Sequence, residues 1–337
     1  MTADRNKLLI IAEAGVNHDG KLDQAFALVR AAKKAGADVV KFQYFRSDTL
    51  VSKGAPTADY QKRNAGGTDQ ANMLRRLELS LDDFARIAAV CRDEGIEFLC
   101  TPFDDEAIGG LVKLGMRWIK VPSGEMTNLH WLRQAARQKL PVLLSTGMST
   151  LDEVGAAVDI LFQGGAGVIT LLQCTSIYPA GAETLNLRAM VTMRERFGRP
   201  VGFSDHSEDD YAAIAAVALG ACVVEKHLTL DRNLSGPDHR ASLEPDTFAR
   251  MVRRLRNTVI ALGDGKKAPA EAERSIAALV RRSWHAARDL AAGQTLAEKD
   301  AVLKRPADGL APGIEVVGRK LLRARAADEP IRATDLA

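Results

Sequence analysis

The feature that most constrains this chain is an eightfold alternation. Short runs rich in Val, Ile and Leu are each followed by a stretch of helical period. The runs are LLIIAEA (8–14), VVKFQYF (39–45), IEFLCTPF (96–103), RWIKVPS (117–123), VLLSTGM (142–148), VITLLQC (168–174), VGFSDHS (201–207) and CVVEKHLTL (222–230). Helical stretches fall at 22–36, 81–94, 105–114, 128–138, 150–162, 186–197, 210–219 and 245–262. Near-continuous apolar strands indicate a parallel sheet buried on both faces. Eight βα units in about 260 residues is the arithmetic of a closed (β/α)8 TIM barrel. An open doubly wound sheet is the rival, but no GxGxxG follows the first run. The catalytic domain is therefore expected over 1–262.

Beyond Leu262 the text changes. GDGKKAPAEAERS (263–275) reads as a linker. Residues 276–337 are punctuated by Gly293, Pro306, Gly309, Pro312-Gly313 and Gly318 and lack helical periodicity. We expect a small, mostly β domain. At about 60 residues it would be marginal alone, so it should dock on a barrel.

Composition removes several functions. The chain is 46% hydrophobic and 26% charged, ordinary for a globular protein. No apolar run is long enough to span a bilayer, and Asp4 precedes and Glu13 interrupts the N-terminal apolar patch, which suits a signal peptide poorly. A cytoplasmic location is expected. Cys91, Cys100, Cys174 and Cys222 form no CxxC pair and are expected reduced, as small buried hydrophobes. Cys100 and Cys174 fall near strand ends, where a reactive thiol is the alternative. The net charge is only +3, with four Tyr and three Trp, which gives no support for nucleic-acid binding.

In such a barrel the active site lies at the C-terminal ends of the strands. Every strand delivers ionisable or hydroxyl groups there. Strand 1 offers Glu13, then Asn17-His18; strand 2 Lys41 and Gln43; strand 3 Thr101; strand 4 Lys120, Ser123 and Glu125. Strand 5 offers Ser145-Thr146; the turn after strand 6 Thr175, Ser176 and Tyr178; strand 7 Ser204, Asp205 and His206; strand 8 Glu225, Lys226 and His227. Burying such groups costs several kcal/mol each unless they are paired or filled by ligand. Alternation puts Lys41 with Gln43, and Glu225 with His227, on shared faces.

Lys41, Lys120, Thr101, Ser123, Ser145 and Ser204 suit a phosphate and a carboxylate. His206 and His227, on neighbouring strands, suit one divalent metal completed by oxygen ligands. Glu13 and Glu125 are general acid/base candidates. Plainer readings stand beside these. His206 alone would read as a cap or a core histidine, with Ser207 to Asp210 as helix-capping residues. His227 with Lys226 could be a salt-bridged strand end. His18 reads equally as a turn, and His239 as ligand or loop. His130 and His285 read as surface or packing residues. A strand-end lysine could also form a Schiff base.

At this point the chain resembles a known family. IAEAGVNHDG, AGADVVKFQ, FLCTPFD, IKVPSGEMTN, LLSTGM, GFSDHS, EKHLTLD and SGPDHRASLEPD are similar to motifs of bacterial sialic acid synthases, a group that includes legionaminic acid synthases. The tail, with GQTLAEKDAVLKRPADGLAPG, resembles their antifreeze-like (SAF) domain. The resemblance implies condensation of phosphoenolpyruvate with an open-chain 2-acetamido-mannose sugar, giving a nine-carbon 2-keto acid and phosphate. It implies a divalent metal, usually Mn2+, on His206 and His227. It places phosphoenolpyruvate contacts on Lys41, Thr101, Lys120, Ser123, Ser145 and Ser204, and sugar contacts on Glu13, Gln43, Asn64, Tyr178 and Asp238. Glu125 falls on the residue that handles the attacking water. Arg305 falls on the arginine that the SAF domain sends into a partner's site, so a domain-swapped homodimer is implied.

Two positions depart from the family pattern. Asp209 stands where many relatives have Gly, and Ser176 stands where many have Asn, in a phosphate contact. GPDHRASLEPD leans towards an N-acetylneuraminate or N,N'-diacetyllegionaminate product rather than pseudaminate. A Schiff-base aldolase and a non-catalytic carbohydrate-binding barrel are the rival readings.

Overall fold

Residues buried on both sides of a strand cannot tolerate water, so each apolar run must find a sheet neighbour and a helix to cover it. The structure, a computed structural model, describes residues 8–52, 55–56 and 69–337. Eight parallel strands carry the runs: β1 Leu9–Gly15, β2 Val39–Tyr44, β3 Glu97–Pro102, β4 Ile119–Val121, β5 Val142–Ser145, β6 Ile169–Cys174, β7 Val201–Asp205 and β8 Val223–His227. A helix follows each: α1 Leu22–Lys34, α2 Leu81–Glu94, α3 Ile108–Lys113, α4 Leu129–Arg137, α5 Leu151–Gln163, α6 Arg188–Phe197, α7 Tyr211–Ala218 and α8 Pro245–Leu262. The ladder order is β3-β2-β1-β8-β7-β6-β5-β4, and β3 and β4 pack side by side across the remaining gap. This is the expected (β/α)8 TIM barrel.

Local chemistry sets the helix starts. Ser80 and Thr150 each close a capping box, with Asp83 and Glu153, at the starts of α2 and α5. Asp210 departs from expectation. Its side chain makes no cap bond at the start of α7 and pairs with Arg254 of α8 instead, at 2.9 Å. Strand β4 is shorter than its apolar run because Pro122 has no N–H to continue the ladder.

Gly202, inside β7, is needed for barrel closure. A Cβ there would lie 2.6 Å from both Leu172 Cδ2 and the Val223 carbonyl, so only glycine lets β6 and β8 flank this strand so closely.

The chain divides into two units, Met1–Gly263 and Asp264–Ala337. In the second, β9 Ser283–Ala286 and β10 Ala301–Lys304 pair antiparallel. Ala286, Leu290, Leu296, Val316, Leu321 and Ile331 form its apolar core. One element was not expected. Helix α9 spans Glu271–Val280, so the segment read as linker is helical from residue 271. The Gly and Pro of GDGKKAPA mask a helical pattern that begins only at the next residue.

Candidate active site

Strand alternation aims one side of β1, β2, β4, β7 and β8 at the barrel axis, and charge converges there. Glu225 of β8 sits at the centre. Its Oε1 accepts from Ser204 Oγ at 2.9 Å and lies 3.5 Å from Lys120 Nζ, while its Oε2 lies 3.8 Å from Lys41 Nζ. Each lysine also meets a hydroxyl from the next strand. Lys41 donates to Thr101 Oγ1 at 2.9 Å, and Lys120 to Ser145 Oγ at 2.7 Å. Lys41 pairs with Glu13 at 2.7 Å, and Gln43 donates to the other Glu13 oxygen at 2.8 Å. All of these except Gln43 are buried.

The environment separates the paired groups. Burial opposes the charge of Lys41, but Glu13 and Glu225 outweigh it and raise the pKa. Burial lowers that of Lys120, with Lys41 as a like neighbour, against the opposing pull of Glu225 and, more weakly, Cys174 and Glu13. Burial also opposes ionisation of Glu225, yet Lys120 and Lys41 hold its carboxyl well below the usual range. Burial and the nearby Glu225 push Glu13 up. Asp238, in the loop before a turn of 3-10 helix, is raised to about 6 by burial and by Glu13.

Beside this network stand the two imidazoles. Their ring centroids are 5.5 Å apart, and the Tyr178 ring lies 4.1 Å from His206 and 5.7 Å from His227. His206 Nδ1 is 2.7 Å from the Thr175 carbonyl, which fixes the ring and leaves Nε2 for other work. His227 Nδ1 is buried with no hydrogen-bond partner. Burial, His206 and Lys41 hold the His227 pKa well below the ordinary value, so the ring is neutral, the form that binds a metal. An orphaned, neutral, buried imidazole facing a second one fits a divalent cation. No group of three or more His, Cys, Asp or Glu side chains capable of holding a metal occurs among the described residues, so further ligands would come from water or substrate oxygens.

Further around the rim, Gly147 N–H donates to Ser123 Oγ at 3.0 Å. A Cβ on Gly147 would lie 2.8 Å from Ser123 Oγ and closer still to Ser176 Oγ, so glycine is what allows both hydroxyls to gather there. Glu125 ends a short 3-10 turn after β4 and is half-buried. Its carboxylate accepts from Asn128 Nδ2 at 2.7 Å rather than joining the lysine network.

Other candidates take different places. Asn64 lies outside the described residues, and Arg305 is an exposed residue of the second unit. His18 is buried in a turn, its Nδ1 accepting from Gly20 N–H. His239 is buried between Asp19 and Thr229. Asp205 is not free to orient a site neighbour, because it is spent on Lys226 and the Ser207 N–H. Asp209 is exposed, and its backbone carbonyl, not its carboxylate, faces inward to Lys226.

Sequence reasoning placed Glu225 on the His227 face but missed its central role. It also missed Gly147, whose signal was the glycine directly after Ser145-Thr146. The Cys174 thiol lies 3.9 Å from His206 Nδ1. Burial opposes its ionisation, but His206 and Lys120 bring its pKa down to about 7.

Two lysine–hydroxyl pairs, a central carboxylate and two facing imidazoles at the mouth of a TIM barrel define a class: barrel proteins with a buried, charged site at the C-terminal ends of their strands. The particular family follows from comparison. The model described as NeuB family matches residues 28–267, and that of the SAF domain matches 281–337. The chain belongs to the NeuB family. It is 46% identical to the N,N'-diacetyllegionaminic acid synthase of Legionella pneumophila over 319 residues, covering 93% of this chain and 90% of that one. It is 43% identical to the synthase of the same name from Campylobacter jejuni, covering 90% and 92%. The crystal structure of N-acetylneuraminic acid (sialic acid) synthetase from Leptospira borgpetersenii matches with a TM-score of 0.72 at 32% identity, over 81% of this chain and 90% of that one.

Proposed function

We propose that this protein condenses phosphoenolpyruvate with an open-chain 2-acetamido-mannose sugar and water, giving a nine-carbon 2-keto sugar acid and phosphate. The observation that carries the reading is the convergence of Lys41–Thr101 and Lys120–Ser145 on Glu225, beside His206 and His227. Relatives named N,N'-diacetyllegionaminic acid synthases, at 46% and 43% identity, favour the 2,4-diacetamido-2,4,6-trideoxy sugar over N-acetylmannosamine.

In this mechanism Lys41, Lys120, Thr101, Ser123, Ser145, Ser176 and Ser204 hold the phosphate and carboxylate through charge-assisted bonds. Glu13, Gln43, Asn64, Tyr178 and Asp238 orient the sugar. A divalent cation on His206 and His227, Mn2+ by expectation, would supply Lewis acidity to the sugar's aldehyde oxygen. The methylene carbon of phosphoenolpyruvate forms the new C–C bond to the aldehyde carbon as the C=O π pair moves onto its oxygen, which takes up a proton to become a hydroxyl, and positive charge develops at C2 of the phosphoenolpyruvate. Glu125, which accepts from Asn128 of its own turn, orients water towards C2 and takes its proton. Glu13 is tied to Lys41 and less suited to that step. The C2–O bond to phosphate then breaks as the C2 hydroxyl gives up its proton and becomes the keto group, and phosphate leaves with its oxygen and takes up that proton.

No Schiff base is needed in this mechanism, and the three strand-end lysines each lie beside a carboxylate. A domain-swapped homodimer, with Arg305 of one copy completing the other's site, is part of the proposal, as is a cytoplasmic location. Among the described residues no helix is long and apolar enough to cross a membrane.

The test is phosphate release with phosphoenolpyruvate, Mn2+ and either N-acetylmannosamine or its 2,4-diacetamido-6-deoxy analogue. Turnover is expected with the diacetamido sugar in excess over the other, and abolished by EDTA. Phosphate release with neither sugar sinks the reading. Borohydride inactivation with EDTA-resistant turnover would establish the aldolase instead.

A further inference from the structure

Lys226 has 0% exposure and points away from the barrel mouth, since its neighbours Glu225 and His227 point in. It is the register partner of Asp205 on β7, and its ammonium lies 2.9 Å from Asp205 Oδ2. The same ammonium donates to the carbonyls of Ser207 and Asp209, the latter at 2.9 Å. Three protons thus meet three acceptors, with Ser207 Oγ a weaker fourth at 3.3 Å. Asp205 Oδ1 in turn accepts from the Ser207 N–H at 2.8 Å. His206 lies between Asp205 and Ser207, so the backbone on both sides of it is tied to one buried cation. His227 is the residue after that cation. One side chain therefore fixes the two strand ends that carry both imidazoles.

We propose that Lys226 is a positioning residue for the metal site, clamping the β7 turn so that His206 and His227 hold one spacing. The inference rests on the metal reading of these two histidines. It also gives Asp209 a use independent of its side chain: only its carbonyl is needed, so Gly would serve as well at that position.

The measurement is direct binding of Mn2+ alone, by titration calorimetry or electron paramagnetic resonance, with phosphoenolpyruvate binding to the metal-free protein measured alongside. Lys226→Met leaves a buried carboxylate without its partner and endangers the fold. The Asp205→Asn/Lys226→Met pair removes both charges and keeps the test open. Loss of an outer support of this kind typically weakens metal affinity 10–100-fold. We expect Mn2+ affinity of the paired variant to fall in that range while phosphoenolpyruvate affinity changes less than about threefold. Wild-type Mn2+ affinity in the folded variant overturns the proposal, as does an equal loss for both ligands, which would mark a merely structural role. His206→Ala separates the two claims. If it binds Mn2+ as the wild type does, the metal reading itself fails, and this inference with it.

Discussion

The two units of this chain hold their buried carboxylates differently. In the second unit Asp300 and Asp335 are buried, and each is saturated. Asp300 accepts from Ala297 N–H, Arg288 and Gln294; Asp335 accepts from Arg332 N–H and Arg325. Hydrogen bonds to these carboxylates hold both pKa values down, against the burial of Asp335. At the barrel mouth, His227 Nδ1 and Glu225 Oε2 are buried without a hydrogen-bond donor or acceptor. A buried polar atom without a partner costs free energy, a cost also met at Arg325 Nε of the second unit and at Trp131 Nε1 of the barrel. The second unit's carboxylates are satisfied within its own fold, whereas Glu225 and His227 lie where two lysines, hydroxyls and a second imidazole converge.

That contrast can be broken by substitution. The largest effect is expected at His227. His227→Ala should cut metal-dependent condensation by about 10³-fold or more, the loss of a Lewis-acid contribution of several kcal/mol. Its thermal midpoint should stay near that of the wild type, because no hydrogen bond at Nδ1 is lost. Turnover within tenfold of the wild type would remove His227 from the chemistry.

Asp238 comes next, measured in EDTA-treated protein. Its carboxyl is raised to about 6 by burial and Glu13, against His206, His239 and Lys41. The native state therefore keeps a proton that the unfolded chain loses from about pH 4 upward, and stability falls as pH rises through that window. Asp238→Asn should gain about 2–3 kcal/mol at pH 8 and almost nothing at pH 4, while weakening sugar binding. An unchanged midpoint at pH 8 would contradict this. The smallest effect on binding belongs to the second unit. Asp335→Asn should lower the thermal midpoint and leave phosphoenolpyruvate affinity of the metal-free protein unchanged. A loss of that affinity would erase the distinction between the units.

Much of this was legible in the sequence, for physical reasons. The barrel could be read because strands buried on both faces must be almost wholly apolar, so polar residues at their ends stand out. Lys41, Lys120, Ser204 and His227 were visible in that way. Glu225 was visible as a residue but not as the centre, because its place between two lysines depends on curvature bringing β2 and β4 towards β8. Alternation sets Lys226 on the face opposite Glu225 and His227, but its partners were hidden, because Asp205, Ser207 and Asp209 lie about twenty positions away on β7 and the turn after it. Asp210 looked like a cap because its partner, Arg254, is 44 positions away. Helix α9 was hidden by the Gly, Pro and Lys in front of it.

The central claim is that buried lysine–hydroxyl pairs at the mouth hold phosphoenolpyruvate. The most direct test is titration of phosphoenolpyruvate into metal-free wild-type protein and into Lys120→Met. The variant removes the donor to Ser145 and the counter-charge to Glu225. Affinity at least about tenfold weaker is the predicted result, the scale of one charge-assisted contact. Equal affinity for the two proteins would contradict the account.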